Sequence, residues 1–272
     1  MKRKRIKAAV CAAVMAFTLF GSVCSVDHHF MRETSVTASA EAAIWDGTED
    51  TSWYYREHDV VVSENGERIA IFNIRTAEEL AGLAKLVRNG NNMKNTMINL
   101  VSDVTLNDTT NFDNWDEQPP ANNWTAIGAV PIEAPNVNVV MTIQPECRNT
   151  VFAGMFNGNG HTISGMYSLH HNYAGLFART SGIITNVIVK DSYIQCINTQ
   201  KVESGDTALW EACAGGITAI CDRGVISHCE FDGKIFASGL NQVGYGTHGS
   251  FAGGIVGKFS DDENGVAAIV MM

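Results

Sequence analysis

"FAGMFNGNGHTISGMY", Phe152 to Tyr167, decides how the rest of the chain is read. Two Asn-Gly pairs lead through His161 and Thr162 into an alternating apolar stretch. Read alone, the stretch offers a histidine and amide side chains to a ligand. Read as one of a series, it is a turn that the fold requires. A series exists. Phe152-Ala153-Gly154-Met155-Phe156 is followed by Tyr173-Ala174-Gly175-Leu176-Phe177, then by Cys213-Ala214-Gly215-Gly216-Ile217 and Phe251-Ala252-Gly253-Gly254-Ile255. Their starts lie 21, 40 and 38 residues apart. Inside the units, "GIITNVIVKDSYI" (Gly182 to Ile194) matches "GVISHCEFDGKI" (Gly224 to Ile235), and "GVAAIV" from Gly265 begins a third copy.

Units of short strands separated by Gly or Asn/Asp turns cannot bury an apolar face alone, and stacking them forms parallel sheets around a continuous core. The expected fold is all-β, a right-handed parallel β-helix (a solenoid). A sandwich of hairpins is the alternative, and the register-consistent copies argue against it. Asn157 to Gly160 fall where a coil must turn, and Asn and Gly tolerate the left-handed angles such a turn uses. His161 then reads as a turn-flanking residue whose ring bonds to backbone.

Upstream, "DVVVSENGERIAIFNI" (Asp59 to Ile74) reads as a hairpin around Glu64-Asn65-Gly66. One helix follows. Thr76 and Glu79 have capping-box spacing, and Leu80, Leu83, Ala84 and Val87 form one apolar stripe that stops at Gly90. A β-helix exposes an apolar open end, so this N-terminal α-helical cap is expected to lie on the first coil. "MINLVSDVTLND", "WTAIGAV" and "VNVVMTI" (Val137 to Ile143) read as strands.

The ordered set resembles the GLUG-repeat surface proteins of bacteria. It comprises Thr76-Ala-Glu-Glu-Leu80, Ile98-Asn-Leu100, Trp124-Thr-Ala-Ile-Gly128, Phe152 to Gly165, Tyr173 to Phe177 and Gly253-Gly-Ile-Val-Gly257. Glu133 to Thr150 departs from that pattern as an insertion. The resemblance implies an extracellular, adhesin-like β-helix and no known catalytic set.

The first forty residues read as an export signal. Lys2, Arg3, Lys4, Arg5 and Lys7 precede the apolar run Ala8 to Gly21, which is shorter than the roughly twenty residues of a spanning helix. Ala38-Ser39-Ala40 is a small-x-small site, which places cleavage before Glu41; an uncleaved anchor is the alternative. The organisation is therefore a signal peptide at 1–40, an acidic segment with the hairpin at 41–75, the capping helix at 76–90 and repeats at 91–272. "GVAAIVMM" ends mid-strand, so the chain reads as truncated at its C-terminus, with self-association through an uncapped end as the alternative.

Removing residues 1–40 leaves 13 basic against 27 acidic residues, a net charge near −14. Such a surface repels nucleic acid and anionic lipid and reads most simply as a solvated face that keeps an exported protein soluble. The adhesin-like resemblance is what makes a host or cell-envelope glycan or protein the expected partner. Five cysteines remain, Cys147, Cys196, Cys213, Cys221 and Cys229, without a CxxC pair or zinc spacing. Buried free thiols are the expectation, with a Cys213–Cys229 or Cys221–Cys229 disulfide as the alternative after export.

β-Helices also carry polysaccharide lyases and hydrolases. Such sites need clustered carboxylates. Asp191, Glu230 and Asp232 are the coil candidates, with Asp191 and Asp232 at comparable places that could stack. Turn-forming is their ordinary role, and Lys190 and Lys234 read as their solvated partners. His170 and His171, if adjacent on a regular strand, point to opposite faces and cannot both face one metal; a loop would evade that, but no carboxylate lies at ligand-like spacing. The best binding candidate is "NDTTNFDNWDEQPPANNW". There Asp108, Asp113, Asp116 and Glu117 could hold Ca²⁺ through oxygens, and Trp115 could stack on a sugar face, while Trp124 packs in the first coil. The preferred reading is non-catalytic adhesion or scaffolding at the cell surface, and the alternative is a carbohydrate-binding or carbohydrate-active module. N-terminal sequencing of the exported protein should begin at Glu41; a start at Met1 would establish the anchor instead.

Overall fold

The computed structural model describes residues 43–129, 150–198, 211–239 and 249–260, with the backbone of residues 269–271. The export segment, the strand read at Val137 to Ile143, most of the insertion from Glu133, Cys147 and the start of the copy at Gly265 lie outside these residues. Strand is the commonest regular structure of the described residues, with one α-helix among them.

β1 (Asp59–Val62) and β2 (Arg68–Ile74) form an antiparallel hairpin. Its turn is closed by the Gly66 N–H donating to the Ser63 carbonyl at 2.8 Å. α1 (Ala77–Arg88) follows, and the Thr76 hydroxyl accepts from the Glu79 N–H at 3.2 Å. The return half of the capping box is displaced by one residue. Glu79 accepts from the Arg75 N–H at 2.7 Å rather than from Thr76, while its other oxygen takes the Arg56 guanidinium at 3.1 Å. Leu80, Leu83, Ala84 and Val87 are buried in one core with Ile74 and Ile98. A second cover comes from upstream. The segment around Asp50 passes so close that a Cβ on Gly82 would lie 1.9 Å from the Asp50 carbonyl oxygen. The Trp53 indole N–H also donates to the Glu79 carbonyl at 3.0 Å.

β3 (Thr96–Leu100) pairs parallel with β2, and β4 (Val104–Thr105) follows it. The chain next forms β5 (Met155–Asn157), β6 (Thr162–Ser164), β7 (Tyr167–His170), β8 (Tyr173–Ala174) and β9 (Phe177–Thr180). It continues through β10 (Ile183–Thr185), β11 (Ile188–Asn198), β12 (Ala212–Gly215) and β13 (Thr218–Cys221). β14 (Val225–Ser227), β15 (Glu230–Gly239), β16 (Ser250–Gly253), β17 (Val256–Phe259) and β18 (Ile269–Met271) complete the described order.

Corresponding strands gather into four sheets: β1-β2-β3-β5-β10-β14-β18; β15-β11-β6-β4, with β7 also on β11; β16-β12-β8; and β17-β13-β9. Apart from the hairpin, every described strand pairing is parallel. Like side chains therefore stack. Phe72, Ile98, Phe156, Ile184 and Ile226 stand opposite one another along the first sheet, all buried. Val104, Ile163, Val189 and Phe231 do so along the second, and Ala174, Ala214 and Ala252 along the third.

Register sorts the sequence repeats. Tyr173, Cys213 and Phe251 are direct partners, as their shared motif requires. Phe152 is not their counterpart: it bridges to Thr180, and Met155 and Phe156 pair with Ile183 and Ile184. The true match of the opening stretch is therefore the strand after Gly182. Ile269 stands opposite Val225, three residues later than the Gly265 match predicts. The copies at Gly182 and Gly224 differ by one residue over the stretch to Ile194 and Ile235, and the fold absorbs the difference locally. The β11–β15 register shifts between Val189 and Ser192, where Asp191 takes φ +47°.

Phe177 packs against Phe152 and Phe156 with ring centroids 5.0 and 5.5 Å away. Phe177→Ala should lower the unfolding free energy by about 3–5 kcal/mol, through lost transfer energy and a cavity. Urea denaturation checks this, with a loss below about 1 kcal/mol contradicting the packing described.

Candidate functional site

The "NDTTNFDNWDEQPPANNW" loop is positioned by two asparagines at its base. Asn107 is buried and uses both ends of its amide. It donates to the Asn122 and Gly165 carbonyls, each at 2.9 Å, and accepts from the Asn122 N–H at 2.9 Å. Asn122 in turn donates to the Trp45 carbonyl at 2.6 Å and the Leu106 carbonyl at 3.1 Å. Gly165 fits this junction because its φ is +71° and a Cβ would lie 2.4 Å from the Asn107 carbonyl oxygen.

The N-terminal segment forms the facing wall. Ile44 bridges to Thr105 beside β4, and the Trp45 N–H donates to the Thr105 carbonyl at 2.9 Å. Trp45 sets its ring edge-on to Trp124 at 5.8 Å. Asp46 closes an Asx turn, accepting from the Thr48 N–H at 2.8 Å and the Thr48 hydroxyl at 2.6 Å. Between the wall and the loop lies a cleft of about 600 Å³, bordered by Ile44, Asp46, Asp108, Asn111, Gln118 and Pro120.

The cleft is acidic. The Thr48 hydroxyl and N–H hold the Asp46 carboxyl below its ordinary range, and the Thr110 N–H does the same for Asp108 at 2.9 Å. Both carboxylates are exposed and ionised at neutral pH. Among the described residues, no Lys, Arg or His borders the cleft.

Of the loop residues singled out in the sequence, Asp108 and Trp115 border the cleft and Asp113, Asp116 and Glu117 do not. Trp115 is not a free stacking face. It is 2% exposed, edge-on to Phe112 at 5.4 Å and to Tyr167 at 6.1 Å, and Tyr167 stacks on Tyr193 at 5.6 Å. The indole anchors the loop to the outer side of β7 and β11. Asp113 turns toward β15, where the Lys234 ammonium donates to its carbonyl at 2.8 Å and lies 5.3 Å from the Phe112 ring centre. Burial first, and the Asp116 charge second, push the Tyr193 hydroxyl above its ordinary value. Among the described residues no group of three or more His, Cys, Asp and Glu side chains is arranged to hold a metal ion.

The coil carboxylates are not a stacked set. At the β11–β15 register shift two residues, Lys190 and Asp191, stand against the single Asp232, so Asp191 and Asp232 are not in one-to-one register. Glu230 instead faces Lys190 at 4.0 Å, both exposed. The disulfide alternative is not formed: Cys196, Cys213, Cys221 and Cys229 carry free thiols. Burial pushes Cys213 up to about 12, and Cys221 and Cys229 to about 11.

His161 bonds to a side chain rather than to backbone. Its Nδ1 lies 3.0 Å from Asp103 Oδ1, which also accepts from the Thr162 N–H at 2.9 Å. The same N–H, ahead of the histidine, holds Asp103 below its ordinary range. His170 Nδ1 accepts from the Asn172 and Tyr173 N–H groups at 3.1 and 3.2 Å, closing the turn into β8.

Sequence reading missed Asp46, Asn107 and Asn122. Asp46-Gly47-Thr48 carries an Asx-turn signature that could have flagged the first. Nothing local marks the asparagine pair, whose partners lie far along the chain. No family model matches the chain, and neither the curated proteins nor the solved structures searched give a match.

Asn107→Ala would leave the Asn122 N–H and the Gly165 carbonyl without their side-chain partner. The expected destabilisation is about 2–3 kcal/mol, read by thermal or urea unfolding. Loss of the cleft without loss of stability would contradict the linchpin role.

Proposed function

We propose that this chain is a secreted or cell-surface repeat protein of the bacterial GLUG-repeat kind, folded as a right-handed parallel β-helix with an N-terminal helical cap and serving adhesion or scaffolding without catalysis. The observation that carries the reading is the order in which the chain visits its sheets. β10 to β13 and then β14 to β17 repeat one circuit, each strand pairing parallel with its predecessor. Parallel crossovers are right-handed in nearly all proteins, which supports the hand proposed. The buried stripe on α1 supports the cap.

Export through residues 1–40 and processing before Glu41 would put the acidic mature chain outside the membrane. There a protein or glycan of the host or of the cell envelope is the partner class proposed. Phe236 and Phe259, exposed at 47% and 44%, lie on β15 and β17, which are edge strands of their sheets among the described residues, and support a site of self-association. The acidic cleft favours a second reading, a carbohydrate-binding or carbohydrate-active module.

Display of the chain on a non-adherent bacterium should raise its attachment to host cells or matrix-coated surfaces, with no release of reducing sugar from a polysaccharide panel. Turnover abolished by Asp191→Ala or Asp232→Ala would overturn the non-catalytic reading.

A further inference from the structure

We propose that the cleft between the N-terminal segment and the Asn107–Asn122 loop binds a short neutral saccharide. Its volume, about 600 Å³, lies within the range of small-molecule sites and suits one or two sugar rings. Its shape is fixed in advance, because the Asn107–Asn122 pair ties both walls to Gly165 and Trp45. A preformed site avoids the cost of ordering a loop on binding.

The groups presented match a polyol. Asp46 and Asp108 each spend Oδ1 on a threonine two residues on, and both carboxylates stay exposed. An ionised carboxylate only accepts, and sugar hydroxyls supply the donors it needs. The Gln118 amide nitrogen makes no hydrogen bond among the described residues and can donate to a ring or hydroxyl oxygen. Asn111 is committed within the loop, accepting from the Asn114 amide at 2.8 Å. The apolar C–H face of a pyranose has Ile44, 51% exposed, and Pro119 and Pro120 to rest on.

Charge selects among sugars. Two carboxylates, with no cation bordering them among the described residues, repel uronates and sulfated glycans at neutral pH. Trp45 and Trp115 contribute wall rather than platform, since both are buried. Recognition therefore rests on hydrogen bonds, and a neutral glycan is the class that satisfies them without a charge clash.

This inference rests on the carbohydrate-binding reading of the same cleft. The test is a glycan array of the exported protein carrying neutral oligosaccharides, polygalacturonate and heparin fragments, followed by titration calorimetry. Neutral glycans should bind, and Asp46→Asn with Asp108→Asn should weaken them by roughly ten-fold or more, because asparagine keeps the Asx acceptor and loses the charge. Circular dichroism and unfolding of the double variant should match the parent, and Glu64→Ala on the hairpin should leave binding unchanged. Neutral binding that survives the double variant overturns the cleft assignment and leaves carbohydrate binding at another surface. Binding of acidic glycans alone overturns the inference. No glycan bound at millimolar concentration overturns both the inference and the carbohydrate reading.

Discussion

Parallel hydrogen bonding between corresponding strands is the constraint on which the rest depends. Neighbouring strands in a sheet lie roughly 4.8 Å apart, so each residue sits directly above its counterpart in the preceding strand. Once Ile184 pairs with both Phe156 and Ile226, the residues that face inward are fixed for the whole file. An apolar residue in such a file buries itself between apolar neighbours. A charge there would have neither water nor a partner. Polar side chains stack in the same way: Asn73, Asn99 and Asn157 pass amide hydrogen bonds from one to the next, and the buried Thr185 faces the buried Ser227 at 3.0 Å.

The N-terminal segment completes what stacking leaves open. An edge strand and a partly covered helix would both expose groups that seek partners. Ile44 pairs beside β4, Trp53 reaches the helix backbone, and Glu49 bonds Arg88 at 2.8 Å. The same crossing makes one wall of the cleft. Covering the core and building the candidate site are therefore one structural event, and the saccharide proposal depends on this short segment as much as on the acidic loop.

Much of the strand pattern was legible, because periodicity and turn chemistry are local. The hairpin at Asn65-Gly66, the Thr76 cap and the shared register of Tyr173, Cys213 and Phe251 all follow from residues close together in sequence or from a repeated motif. The errors arose where a decision depended on a distant partner. Phe152 carries the repeat motif, yet its neighbours across the sheet place it opposite Thr180. Trp115 sits among Asn, Asp and Gln and reads as exposed, but Tyr167 and Tyr193 supply the surface that buries it. Asp191 and Asp232 align one to one only if one residue of length difference is ignored, and the β11–β15 register takes up that residue between Val189 and Ser192.

By itself, then, the sequence determined the strand alphabet, the helix capped at Thr76, the acidic balance and the repeating turns, because each depends on backbone preference or composition within a few residues. The tertiary structure alone decided which repeats share a register, which aromatic rings are buried and which carboxylates meet a cavity. The reason is physical. Parallel strand pairing brings together residues 26 to 59 positions apart, as in Ile188 with Thr162 and Val104 with Ile163. Nothing in a local window records which of those partners a side chain will meet.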